Sequence, residues 1–321
     1  MDKSQSQIEE IKRQRLIDNL LGDDMKDIIP YLEDELVTDI SIPDSGEIIV
    51  NRFSKGIEFT GKYIDSFVAE RIIKGTAYIV GKSLDSLTGF PKLEGTIPKY
   101  NARITGILPP VTIRPVISIR IPPKKIFTLE EYVQNGQMTQ EQYEYVVQAI
   151  KDRKNIFISG ATGSGKSTFT NACIHKMVEF TPDDNFYIVE DNPELQCNAR
   201  WKHSLCILKK DAELAVQEAL RFFPDRIIFG EVRDGSLLIE LFKSWLTGHN
   251  GNITTIHAKD GQRTLLRIRS MMGNNAKDIS ENLSEVLNLV IHLSDYKVDE
   301  IFPVSEDTDS FLSGLVQNGL V

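Results

Sequence analysis

The run Gly160-Ala161-Thr162-Gly163-Ser164-Gly165-Lys166-Ser167 fits the phosphate-binding template G-x-x-x-x-G-K-[ST] at every fixed position. The apolar segment Ile156-Phe157-Ile158 just ahead of it reads as a buried strand. Strand, glycine-rich loop and helix in that order make a P-loop. Its glycines let the backbone fold into a nest of N–H groups aimed at phosphate oxygens, and the helix starting near Lys166 adds the positive end of its dipole. In such a loop Lys166 reaches the β- and γ-phosphates of ATP and the Ser167 hydroxyl ligates Mg2+, with Thr168 next in the same helical turn. The alternative, a Gly-rich turn with no ligand, leaves the flanking strand and helix unexplained.

Downstream, apolar strands alternate with amphipathic helices. The strands are Ile156 to Ser159, Phe186 to Val189, Ile227 to Phe229 and Ile253 to Ile256, with helical spacing at about 166–179, 211–222, 235–246 and 260–272. That alternation predicts an α/β domain with a mostly parallel sheet flanked by helices, whose ligand lies beyond the carboxyl ends of the strands. A terminal hairpin is expected from Leu289-Val290-Ile291-His292-Leu293 and Ile301-Phe302-Pro303-Val304.

Upstream, residues 1–122 mix short alternating segments, Glu47-Ile48-Ile49-Val50 and Val116-Ile117-Ser118-Ile119-Arg120, with a helical pattern around 65–81. This predicts a smaller α+β domain. The stretch Ile121-Pro122-Pro123-Lys124-Lys125 cannot continue a central strand, so a linker is placed at 123–138 and the P-loop domain at 139–321. Thr139 then caps a helix with the apolar face Tyr143, Val146, Val147 and Ile150. A loosely amphipathic helix is expected over 8–21, its apolar face packing on its own domain, with a membrane or partner contact as the alternative.

A net charge of −9 and a pI of about 5.2 argue against a protein built to grip duplex nucleic acid, and no sequence-specific nucleic-acid binding is expected. The cysteines Cys173, Cys197 and Cys206 show no C-x-x-C spacing, which suggests neither a zinc site nor disulfides. With no long apolar run and a charged start, the chain is expected to be cytoplasmic, at most peripheral to the inner face of the cytoplasmic membrane.

Which P-loop chemistry is present depends on a second carboxylate. In Arg226-Ile227-Ile228-Phe229-Gly230-Glu231 an apolar strand ends in Gly-Glu, placing Glu231 where a carboxylate can orient and deprotonate water for in-line attack. A surface pair with Arg233 is the alternative. The acidic cluster Glu190-Asp191-Asn192-Pro193-Glu194 closes the preceding strand and can hold Mg2+ through its waters or position water. It also reads as a plain acidic turn. His257, in Thr254-Thr255-Ile256-His257-Ala258, ends another strand at that edge, where an imidazole can bond the γ-phosphate or simply be structural.

Together these elements resemble the secretion ATPase superfamily in order and spacing. They are most similar to the VirB-eleven type of type IV secretion and conjugation ATPase, in its TrbB-like branch. The similarity includes Gly248-His249 in the histidine box and, nearer the amino terminus, Tyr31-Leu32-Glu33-Asp34 and Leu108-Pro109-Pro110-Val111. It implies a PAS-like α+β domain ahead of a RecA-like P-loop ATPase domain, assembled as a hexameric ring. By the same resemblance Arg103 and Arg120 approach the phosphates, Arg221 and Arg233 are phosphate or interface arginines, and Glu190, Glu194 and His257 belong to the catalytic set with Lys166 and Glu231. The implied partners are inner-membrane channel components and the coupling protein. Rival readings are a type IV pilus retraction or type II secretion motor, a nucleotide-gated switch with little turnover, and a DNA-translocating motor. Asn192 stands where relatives often carry threonine or serine.

Overall fold

The computed structural model describes residues 3–53, 55–82, 84, 90–122, 125–191, 193–207, 211–273 and 283–308, with the backbone alone for 3–9. Asn192 and linker residues 123–124 lie outside these. The chain divides into two compact units, Met1–Lys125 and Ile126–Val321.

The first unit carries a wholly antiparallel six-stranded sheet, in the order β3-β2-β1-β6-β5-β4. Its strands are β1 (Val37–Ile42), β2 (Glu47–Arg52), β3 (Gly56–Tyr63), β4 (Lys92–Ile97), β5 (Ala102–Ile107) and β6 (Val116–Arg120). Alternation decides which face is wet. Ile40, Ile48, Val50, Ile104, Ile117 and Ile119 turn inward onto α3 (Ser66–Ile79), through its Ala69, Ile72, Ile73 and Ala77. The opposite face is left to residues such as Arg103 and Arg120. The expected amphipathic helix packs on its own domain through its last turn only: Ile17 of α1 (Lys3–Asn19) lies against the core and Leu20 and Leu21, in a following π-helical turn, Leu20–Asp24, are buried in it, whereas Ile11 and Leu16 are exposed. A short helix, α2 (Ile29–Glu33), buries Leu32 against this core.

In the second unit α4 (Leu129–Gln134) corrects the expected linker. Thr128 and Glu131 form a reciprocal capping box, and Leu129, Tyr132 and Met138 are buried in the same core as the P-loop strand. Residues 128–138 are therefore packed structure: two leucine- and tyrosine-bearing turns bury apolar area that a solvated tether would expose. Thr139 caps α5 (Gln140–Lys151) through a second capping box with Gln142.

The seven-stranded sheet runs in the order β13-β12-β7-β11-β10-β8-β9. Its elements are β7 (Ile156–Gly160), α6 (Lys166–Phe180), β8 (Asn185–Glu190), β9 (Trp201–Cys206), α7 (Ala212–Ala219), β10 (Arg226–Phe229), α8 (Gly235–Leu246), β11 (Ile253–His257), α9 (Gly261–Met272), β12 (Leu289–Ser294) and β13 (Lys297–Pro303). All neighbours are parallel except the terminal β12–β13 pair. Both faces are covered, which is why the central strands read as continuous apolar runs. Ile156 and Ile158 face α4, α5 and α6, whereas Phe157 faces α8, where it meets Phe242 and Trp245 edge-on at ring separations of 5.9 and 5.8 Å.

Register across the sheet is fixed at its amino edge. Asn155 Oδ1 accepts from the backbone N–H groups of Gly251 and Asn252 and from Asn252 Nδ2, while Asn155 Nδ2 donates to Val286 O. This buried network locks the starts of β7, β11 and β12 together, so that at the far edge His257 lies directly opposite Gly160.

Candidate functional site

The carboxyl edge of the parallel strands gathers the chemistry. β7 delivers the P-loop, β11 delivers His257, β10 leads into Gly230-Glu231 and β8 ends at Glu190. β11 lies between the P-loop strand and the glutamate strand, so the imidazole sits between Lys166 and Glu231.

Loop geometry explains its glycines. Gly165 has φ +93° as it enters α6, and a β-carbon there would meet the Tyr296 ring at 3.1 Å. At Gly160 a β-carbon would fall 2.5 Å from Leu293 O, so β12 can lie close alongside only if this residue is glycine. Lys166 is buried, and its Nζ donates to Gly160 O at 3.0 Å and Ala161 O at 2.7 Å. It also faces His257 Nδ1 at 3.3 Å. Thr168 is half-buried in the first turn of α6.

Ser167 Oγ donates to Glu194 Oε2 at 2.7 Å. These are hard oxygen donors, the type Mg2+ takes, and among the described residues no cluster of three or more acidic, His or Cys side chains forms an all-protein cage. The pattern fits an ion held by one hydroxyl and carboxylate-bound water, its remaining positions left to substrate oxygens and further waters. Glu190 also shapes the acidic turn itself. Its Oε2 accepts from the backbone N–H groups of Glu194 and Leu195, at 2.8 and 2.9 Å, and thereby folds the turn that presents Glu194 to Ser167. Asn171 completes this clamp from α6: its Nδ2 donates to Glu194 O and its Oδ1 accepts from Gln196 N. Sequence spacing carried no signal for Asn171, because its partners are brought to it by the tertiary fold.

Burial pushes the Glu190 carboxyl up to about 7, reinforced by the charges of Glu194 and Asp191 and opposed by the two backbone bonds. A raised carboxyl pKa means that the folded state binds more protons than the unfolded one between the ordinary value of 4.5 and about 7. Glu190 therefore lowers stability as pH rises through that window, with its effect level below and above it. Glu190→Gln keeps an acceptor for both N–H groups. Urea unfolding at a series of pH values is expected to show that slope reduced in the variant; an unchanged slope would place the titration elsewhere.

Glu231 is held from two sides. Arg233 Nη2 donates to Oε2 at 2.9 Å and His257 Nε2 lies 3.0 Å from Oε1, while Arg233 also pairs with Asp191. Burial raises the Glu231 pKa, but the Arg233 bond and charge, then His257 and Lys166, outweigh it and the net shift is downward. His257 is shifted down by burial and by Lys166, so at neutral pH it is an uncharged imidazole. Its Nδ1 then accepts from Lys166 and its Nε2–H donates to Glu231, a tautomer assigned from these two partners. The surface pairing of Glu231 with Arg233 and its place at the phosphate edge are both present in one arrangement.

The arginines separate into three places. Arg233 is in the site. Arg103 and Arg120 sit directly across from each other on β5 and β6, on the solvated face of the first unit's sheet, with Asp39 of β1 opposite Arg120 on its other side. Arg221 does not join the P-loop of its own chain. It pairs with Glu218 ahead of β10, at the amino edge of the sheet, because a residue five positions before the strand starts is a strand's length from the end that carries Glu231.

Residues 25–309 match the family model of the Type II/IV secretion system protein. The chain belongs to that family. It is 34% identical over 284 residues to a probable conjugal transfer protein TrbB of Sinorhizobium fredii, covering 87% of this chain and 84% of that one. It is 30% identical over 266 residues to the type IV secretion system protein VirB11 of Bartonella quintana, covering 66% of this chain and 73% of that one. In fold it is similar to the ATPase DotB of Legionella pneumophila, with TM-score 0.66, 20% identity and coverage of 90% and 83%. Family membership, an intact P-loop and a glutamate at the neighbouring strand end make this chain a P-loop ATPase with a RecA-like domain behind a smaller α+β domain. Among the described residues no helix is long and apolar enough to cross a membrane.

Proposed function

We propose that this ATPase powers a type IV secretion or conjugation apparatus from its cytoplasmic side, as a ring of identical subunits that draw substrate or pilus components through a membrane channel. The observation that carries the catalytic part is the convergence of Lys166, the Ser167–Glu194 pair and the His257–Glu231–Arg233 chain on one sheet edge. The transport role rests on the similarity to TrbB and VirB11.

Loop N–H groups and Lys166 bind the β- and γ-phosphates, which requires Lys166 to exchange its loop carbonyl bonds for phosphate oxygens. Mg2+, where Ser167 and Glu194 hold it, supplies charge neutralisation on those oxygens. Glu231 orients water: each of its carboxylate oxygens retains a second lone pair beyond the bonds to Arg233 and His257. His257 links Lys166 to Glu231, so a change in what Lys166 grips alters the bond that fixes the Glu231 carboxylate. By the resemblance to the family, Arg103 and Arg120 are assigned to the developing phosphate charge.

The test is ATP turnover per subunit as a function of protein concentration. Sites completed by assembly give specific activity that rises with concentration and then levels off, in step with the growth of a multimer measured by light scattering. Constant activity across a range where the multimer dissociates would remove the ring from the mechanism. Tight ATP binding with negligible turnover at all concentrations would replace the motor by a nucleotide-gated switch.

A further inference from the structure

The turn that closes the β12–β13 hairpin holds a tyrosine where the backbone favours glycine. Ser294 pairs with Lys297, which leaves Asp295 and Tyr296 as a two-residue turn, and both have positive φ, +46° and +63°. Hairpin turns of that geometry prefer Asn-Gly or Asp-Gly, because a β-carbon crowds the left-handed conformation at the second residue. The tyrosine is nevertheless fixed there. Gln137, buried just past α4, donates from Nε2 to Tyr296 O at 2.9 Å, and its own carbonyl accepts from Val298 N at 2.8 Å. The half-buried Tyr296 ring lies beside Gly165 of the P-loop, whose missing β-carbon leaves it room. Closing the hairpin does not call for this ring, since Asp-Gly would make the same turn with less strain.

Its position in the sheet gives the ring a use. β12 runs parallel to β7 with Leu293 opposite Gly160, so the turn stands just past the end of the P-loop strand. It lies on the flank away from the catalytic groups: β11 with His257, and then β10 leading to Glu231, are on the other side of β7. Strands lie about 4.8 Å apart, which puts the glutamate strand about 10 Å from β7 in one direction and the tyrosine strand about 5 Å in the other. ATP carries its reacting phosphate at one end and its base at the other. With the γ-phosphate turned toward Lys166 and Glu231 and the β-phosphate in the loop, the nucleoside leaves the loop on the flank that Tyr296 occupies.

We propose that Tyr296 is the platform on which the base of the bound nucleotide stacks. A phenol ring offers a flat π face, and a base stacks on such a face whatever the hydrogen-bonding pattern of its edges. Tyr296 then supplies affinity through the nucleoside, and the P-loop supplies it through the phosphates. Gly165 serves both, since its N–H belongs to the phosphate nest and its bare α-carbon admits the ring. The strained turn has a reason on this account: the left-handed backbone at Tyr296, held by Gln137, sets the ring against the loop before any ligand arrives. This rests on the assignment of the triphosphate to the P-loop above.

Two measurements test this on the full chain. Calorimetric titration with ATP and with inorganic tripolyphosphate separates the base from the phosphates. Tyr296→Gly is expected to weaken ATP binding by about tenfold or more, as for removal of an aromatic that stacks a base, and to leave tripolyphosphate binding within about twofold. Tyr296→Phe keeps the ring and is expected to bind ATP as wild type does. Glycine suits the turn, so the thermal stability of ligand-free Tyr296→Gly is expected to hold or rise; should it fall, Tyr296→Asn, which also accepts a left-handed backbone, carries the same titration. The second measurement is photolabelling with an ATP analogue that bears an azide on its base, expected to modify the peptide containing Tyr296. Equal weakening of both ligands, unchanged ATP affinity, or label confined to other peptides overturns the stacking and leaves the P-loop assignment standing. A wild type that binds neither ATP nor tripolyphosphate overturns both.

Discussion

Replacing Glu231 by glutamine is expected to lower ATP turnover by about 10² to 10⁴ while leaving ATP binding intact, the range that positioned proton transfer contributes. The carboxamide is nearly isosteric and keeps one oxygen to accept from His257 or Arg233, so the carboxyl edge of the sheet retains its shape. What is lost is the charge. The downward shift of the Glu231 pKa means that wild type carries a carboxylate throughout the neutral range, and only a carboxylate can take a proton from water there. Single-turnover hydrolysis, measured beside binding of a fluorescent ATP analogue, separates the two steps. Were Glu231 only the partner of a surface arginine, the variant would hydrolyse at nearly the wild-type rate, since exposed pairs contribute about 1 kcal/mol or less. Such a result would transfer the water-orienting role to Glu194 or elsewhere.

The parts of this site that could be read from the chain are those whose signal is local. A P-loop is a contiguous octapeptide, and a parallel strand buried on both faces leaves a contiguous apolar run, so Ile156–Ser159, Phe186–Val189, Ile227–Phe229 and Ile253–Ile256 announce the sheet and its carboxyl edge. What joins those ends is not local. The asparagine network of Asn155 and Asn252 that sets His257 opposite Gly160, the Asn171 clamp on Glu194 and the inward turn of Glu190 all depend on residues brought together by the fold. β9 leaves a weak sequence signal for a different reason: as an edge strand it carries Lys202, His203 and Ser204 among Trp201, Leu205 and Cys206, and its apolar pattern is diluted. Helix α4 does have a local signature, the capping-box spacing of Thr128 and Glu131, which the prolines at 122 and 123 and the loop residues around them overshadow.

Arg120→Ala carries the second large expectation, and its logic comes from the other unit. Arg120 and Arg103 face each other across β6 and β5, so two guanidinium groups share one patch of an open sheet face, with Asp39 the facing residue on β1. Neighbouring carboxylates already answer part of that charge, Glu94 at 3.9 Å from Arg103 and Asp39 opposite Arg120. Two guanidinium groups on one face still make it attractive to a polyanion, and a triphosphate in the act of losing its terminal group is the anion this protein handles. Arginines in that role are worth about 10³ to 10⁵ in rate elsewhere. Arg120→Ala is thus expected to keep ATP binding, which the P-loop provides, and to lose about 10³-fold or more in hydrolysis, with Arg103→Ala following it in kind. The sheet itself is expected to hold in both variants, because the replaced side chains lie on its solvated face and the core beneath is Ile104, Ile117 and Ile119. Steady-state turnover with circular dichroism on the same samples checks the two statements together. Unchanged hydrolysis in Arg120→Ala, with the fold intact, would detach the amino-terminal unit from the chemistry and leave catalysis to Lys166, Glu194 and Glu231 alone.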